Sequence, residues 1–133
     1  SLHDALPICH TEPHQTENKQ DASESVFLTK AIELVEKNLH VPGYSVEQLS
    51  RDLCMERTGL YRKLVAMLDQ SPSLFIRNIR LQRAAQLILE GSLSITEIAE
   101  RTGFSSSSYL SKCFQEMYGC RPSEYAEKMQ KST

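Results

Sequence analysis

Apolar residues along this chain recur every three or four positions far more often than they alternate with polar ones, the signature of helices packed by one face. Residues 1–24 are the exception: polar, rich in Gln, Glu, Thr and His, and without period, they read as a flexible linker or remnant. From Ser25 the pattern changes. Leu28, Ile32, Val35 and Leu39 share a face and predict a first helix that ends before Pro42-Gly43.

Beyond that helix the chain repeats itself. "SVEQLSRDL" from Ser45 lies over "SITEIAERT" from Ser94 at an offset of 49, each copy carrying Gln48 or Glu97 three residues after its serine. This spacing is that of a capping box and marks a helix start. Further on, Leu60, Leu64, Met67, Pro72, Ser73 and Phe75 meet Leu110, Phe114, Met117, Pro122, Ser123 and Tyr125 at an offset of 50. Each copy therefore predicts a short capped helix, a brief turn, a second helix, and a proline opening the next helix. Helix, short turn, helix is the helix-turn-helix pattern. The expected units are a first helix-turn-helix over about 45–68, a connecting helix over about 73–90, a second helix-turn-helix over about 94–118 and a final helix over about 122–130. Together they make an all-α domain over 25–131. In the connecting helix Phe75, Ile76, Ile79, Leu87 and Ile88 form an apolar stripe and Gly91 fits a C-cap.

At 100° per residue, Leu60, Leu64 and Met67 point inward from the second helix of the first copy, as do Leu110, Phe114 and Met117 from that of the second. The outward positions pair as Thr58 with Ser108, Tyr61 with Ser111, Arg62 with Lys112, and Val65 with Gln115, with no acidic residue among them. The serine run 105–108 lies at the start of the later helix. Small hydroxyl side chains there supply an N-cap, leave the helix end slim, and offer donors and acceptors to base edges or phosphates beside the positive end of the helix dipole.

Charge sharpens this picture. The whole chain carries a net charge of −2, but residues 57–83 hold Arg57, Arg62, Lys63, Arg77, Arg80 and Arg83 against Asp69 alone. A basic region inside an acidic average fits a polyanionic ligand. Candidate base contacts are Arg57, Thr58, Tyr61, Arg62, Ser107, Ser108, Ser111, Lys112 and Gln115. Candidate phosphate contacts are Ser45, Ser94 and Ser106, near helix starts, and Arg77 and Arg80 on the connecting helix. The planar fork of Arg62 suits guanine O6 and N7 better than the point charge of Lys112.

Other chemistries find little support. Cys9, Cys54, Cys113 and Cys120 form no CxxC pair and read as reduced, mostly buried thiols. His3, Cys9, His10 and His14 are close in sequence but lie in the segment without period, so no metal or other cofactor is expected. There is no glycine-rich phosphate loop, paired carboxylate or nucleophile triad to suggest an enzyme. No apolar run approaches the length of a membrane span, and the opening Ser1 points to a fragment of a longer chain, of which this domain is expected in the cytoplasm while a membrane anchor elsewhere in the full-length protein is left open. The rival reading is a helical interaction module whose basic stripe binds an acidic protein. The repeat of two outward faces in register favours a periodic ligand, double-stranded DNA.

"SITEIAERTGFSSSSYLSKCFQEMYGCRPSEYA" resembles the second helix-turn-helix signature of the AraC/XylS family of bacterial transcription regulators, including Ile95, Ala99, Gly103-Phe104, Phe114, Gly119, Pro122 and Tyr125. "LYRKL" and "QSPSLFIRNIRLQRAAQLIL" are similar to the first unit and connecting helix in the output domains of Bacteroidetes hybrid two-component regulators. Cys54 and Asp69 stand where such sequences often carry Gly. The resemblance covers about residues 26–128. It implies about seven helices in two helix-turn-helix subdomains, with two recognition helices in successive major-groove segments. It also implies receiver and sensor domains upstream and RNA polymerase as a further partner. The fragment itself is expected to be monomeric, because its apolar residues are used internally.

Overall fold

The computed structural model describes residues 17–131, with side chains from residue 22 onward. Among these residues there are seven helices and no strand: α1 (Glu17–Lys37), α2 (Val46–Asp52), α3 (Arg57–Leu68), α4 (Pro72–Glu90), α5 (Ile95–Arg101), α6 (Ser107–Tyr118) and α7 (Pro122–Lys131). The histidine and cysteine group at residues 3–14 lies outside the described residues.

Local chemistry accounts for most of the boundaries. Both capping boxes form: the Ser45 hydroxyl accepts from the Gln48 N–H and the Gln48 side chain from the Ser45 N–H, and Ser94 and Glu97 repeat the exchange. Pro72 and Pro122 open α4 and α7, where the missing N–H costs no helical hydrogen bond. Gly91 ends α4 in the left-handed conformation. One boundary differs from expectation: α1 starts at Glu17, eight residues before Ser25. Apolar periodicity reports only the stretch of a helix that packs, and packing begins at Phe27 and Leu28. The preceding turns include good helix formers, which a search for period does not see.

The helices enclose two apolar clusters. The first joins Ala31, Val35, Leu39, Tyr44, Leu49, Leu53, Leu60 and Leu64 to Phe75, Ile76 and Ile79 of α4. The second joins Leu81, Ala84, Ala85 and Leu87 of α4 to Ile98, Ala99, Phe104, Leu110, Cys113, Phe114 and Tyr125. Leu49, Leu53, Leu60, Leu64, Ile98, Ala99, Phe104, Leu110 and Phe114 are all buried. The connecting helix thus gives its first half to one core and its second half to the other, and it touches all six other helices. At 1.5 Å per residue its 19 residues form a strut of about 28 Å.

Two expectations about side chains need correction. Met117 is 40% exposed rather than inward; Leu110, Cys113 and Phe114 fill the space beneath α6, and in its last turn Tyr118, not Met117, packs against the core. Cys54 is exposed, and it is not among the free thiols, which among the described residues are the buried Cys113 and half-buried Cys120.

Candidate nucleic-acid interface

In each unit the second helix is anchored by residues with no exposed surface, Leu60 and Leu64 in α3 and Leu110 and Phe114 in α6. That anchoring turns the opposite face to solvent. On α3 it exposes Arg57, Thr58, Tyr61 and Arg62, with Val65 half-buried. Tyr61 is 53% exposed, so its ring lies largely off the bundle. On α6, Ser108, Lys112 and Gln115 are exposed and Ser107 and Ser111 half-buried. No carboxylate stands among these ten positions.

The helix starts differ. Ser106 caps α6, its hydroxyl accepting from the Tyr109 N–H at 3.0 Å. At the matching position of α3, Glu56 makes no side-chain cap. The first N–H groups of α3 are therefore left without an acceptor from their cap side chain.

Beside each outward face lies the start of the helix that follows. One shallow groove brings Val46, Arg57, Thr58 and Tyr61 together with Ser71, Pro72 and Ser73. The equivalent groove in the second unit brings Ile95 and Ser111 together with Arg121, Pro122 and Ser123. Hydroxyls and main-chain N–H groups at the N-termini of α4 and α7 thus adjoin the recognition helices. The sequence reading missed Ser71, Ser73, Arg121 and Ser123, although the prolines repeated at an offset of 50 were a usable signal. Arg121 also pairs with Glu124 at 3.3 Å; its hydrogen bond and charge hold the Glu124 carboxyl below the usual carboxylate range.

The expected phosphate contacts separate into three kinds. Ser45, Ser94 and Ser106 are exposed and double as N-caps. Arg77 is half-buried, its Nη1 lying 3.9 Å from the Glu116 carboxylate on α6. Its Nε is buried without a hydrogen-bond partner. Arg80 is a correction. Only 6% exposed, it donates to the main-chain carbonyls of Leu39, Val41 and Thr102, so its guanidinium is committed inside the protein and is not offered to a phosphate. Lys63 is likewise drawn aside, its Nζ 4.5 Å from the centre of the Phe27 ring on α1.

Residues 49–128 match the family model described as a helix-turn-helix domain. Over 99 residues, 74% of this chain, the sequence is 39% identical to Histidine kinase P4 of Formosa agariphila, of whose length the match spans 7%. A transcriptional regulator of Chromobacterium violaceum, described as an AraC-type DNA-binding domain-containing protein, superposes with a TM-score of 0.73 at 29% identity, over 80% of this chain and 95% of that one. The C-terminal domain of AraT, a response regulator from Geobacillus stearothermophilus, superposes with a TM-score of 0.68 at 27% identity, over 77% and 84%. Two helix-turn-helix units on one connecting helix, each with an outward face free of carboxylates, are what these proteins share a fold with, and the chain belongs to the AraC/XylS family of helix-turn-helix DNA-binding domains.

Proposed function

We propose that this domain binds double-stranded DNA sequence-specifically as the output module of a bacterial two-component transcription regulator, with α3 and α6 lying in successive major-groove segments. The observation that carries the reading is the pairing of two exposed, carboxylate-free faces on one rigid strut. A strut of about 28 Å, with each recognition helix offset from its ends, reaches segments one helical turn, about 34 Å, apart. Side chains at the tips, Arg57, Thr58, Tyr61 and Arg62 on α3 and Ser107, Ser108, Ser111, Lys112 and Gln115 on α6, are assigned to base edges. Ser45, Ser94, Ser106 and Arg77 are assigned to the backbone.

Similarity to a histidine kinase and to a response regulator's C-terminal domain supports a place downstream of a sensor and a receiver. Because the chain spans only 7% of that kinase, those upstream domains and a contact with RNA polymerase belong to the proposal. The isolated domain is expected to act as a monomer, checked by sedimentation at micromolar concentration.

Selection of bound sites from random duplexes, followed by footprinting, tests the reading. The expected result is two protected patches about one turn apart, with affinity falling steeply as salt rises. One compact patch would leave only one unit engaged. Equal displacement by an acidic protein of similar charge would favour a protein ligand.

A further inference from the structure

One buried charge lies between the two cores. Ile79 belongs to the first cluster and Leu81 to the second; the Arg80 side chain leaves α4 between them. Its Nη1 donates to the carbonyls of Leu39 at 2.5 Å and Thr102 at 2.7 Å, and its Nη2 to that of Val41 at 3.2 Å. Leu39 and Val41 lie in the connection after α1, within the first unit, whereas Thr102 is the C-cap of α5 in the second. A single guanidinium therefore ties the two units together through main-chain atoms.

The surroundings fit a cation. Leu39 and Thr102 stand just beyond the C-terminal ends of α1 and α5, where helix dipoles present partial negative charge. Thr102 is itself fully buried, its hydroxyl donating to the Ile98 carbonyl at 2.7 Å, which holds the last turn of α5 in place. Gly103, at φ +80°, leaves the room required: a Cβ there would overlap both the Arg80 guanidinium and the Leu39 carbonyl. The planar, five-donor fork of arginine can satisfy carbonyls from two directions, and a lysine ammonium on a flexible stem cannot hold the same geometry.

We propose that Arg80 is a positioning residue that fixes the angle between the two helix-turn-helix units, and with it the spacing of the duplex segments that α3 and α6 reach, without touching DNA itself. The inference rests on the reading that both units engage one duplex. It predicts that relaxing the clasp weakens joint engagement and spares each unit alone.

The test uses R80M, which keeps the stem and removes the donors, and R80K, which keeps the charge. Spin labels at the exposed positions Glu36 and Glu127 report the distance between the units in the DNA-free protein. A narrow distance distribution is expected for the parent and a broader or shifted one for both variants. Affinity for a two-segment duplex should fall by about ten-fold or more, since the preorganised second contact is lost. Affinity for a duplex carrying one segment, and the dependence on salt, should not change. Unchanged distances and two-segment affinity would overturn the proposal. So would an equal loss on both duplexes with a salt slope reduced by about one, the mark of a phosphate contact. Should R80M not fold, R80K against the parent decides on the same measures. A parent protein that binds no duplex would sink the DNA reading, while the distance distributions would still decide whether Arg80 sets the angle.

Discussion

The two helix-turn-helix units are built on one plan with different parts. Leu60 and Leu110 take the same place and are both fully buried, as are Leu64 and Phe114. Around them the second unit is more aromatic than the first. Phe114, Tyr118 and Tyr125 pack with ring centres 4.5–5.2 Å apart, in place of Leu64, Leu68 and Phe75. The turn is also plugged differently: Phe104 is 7% exposed and meets the Tyr109 ring edge-on, whereas its counterpart Met55 is only partly buried. What stays the same is the set of positions that fixes backbone geometry, and what changes most is the outward face. The first face, Arg57, Thr58, Tyr61, Arg62 and Val65, carries two arginines and a tyrosine, and the second, Ser107, Ser108, Ser111, Lys112 and Gln115, carries one lysine and is smaller and hydroxyl-rich. Two copies of one scaffold thus present two unlike outward faces, which suits the proposed reading of two unlike half-sites.

The largest expected difference between the units is in their plugs. Phe104→Ala should cost about 3–5 kcal/mol, because it empties a closed site. Met55→Ala should cost about 1–2 kcal/mol, because Met55 is half-open to solvent already. Thermal or denaturant unfolding measures both, and equal losses would show that the first unit is as tightly plugged as the second.

Next come the recognition faces. Arg62→Ala should cost about 1–3 kcal/mol on the preferred site and much less on random DNA. Lys112→Ala at the matching position should weaken both DNAs more nearly alike, since an ammonium is a point charge. Titrations on both duplexes check this, and an equal loss for Arg62→Ala on the two DNAs would remove its base-reading role.

The turns after α3 and α6 offer a smaller contrast. Both C-caps are left-handed, but Asp69 holds φ 57° where Gly119 holds φ 76°. Asp69→Gly should stabilise by about 0.5–1 kcal/mol and Gly119→Asp destabilise by about the same, as judged by denaturation midpoints. Opposite signs are the point of the test.

The smallest effect concerns pH. Hydrogen bonds from the Ser94 N–H and then its hydroxyl hold the exposed Glu97 carboxyl below its ordinary value. The folded pKa is depressed, so the contribution is complete above the unfolded value of about 4.3 and is lost as pH falls through the lower, folded one. Gln48 does the same work in the first unit without titrating. Amide protection factors, which divide out the intrinsic pH dependence of exchange, should therefore fall at the start of α5 on acidification while those at the start of α2 hold steady, and Glu97→Gln should abolish the difference.

Much of this architecture could be read without coordinates, because it depends on near neighbours in the chain. The capping boxes at Ser45 and Ser94, the prolines opening α4 and α7, and the inward Leu60, Leu64, Leu110 and Phe114 each follow from spacings of three or four residues. So does the exposure of Arg62 and Lys112. Helix periodicity carries such information wherever a helix packs, and was silent over the first turns of α1, which do not. Arg77 and Arg80 mark where that kind of reasoning stops. They are three residues apart on one helix, about 60° apart around its axis, and by angle alone both belonged to the same basic stripe. One lies half-buried beside Glu116; the other is enclosed by the carbonyls of Leu39, Val41 and Thr102. Those acceptors come from 41, 39 and 22 residues away in the chain. The residue type and the helix were determined by the sequence near each arginine, whereas its surroundings were decided by how distant helix ends converge, and only the tertiary structure brings those ends together.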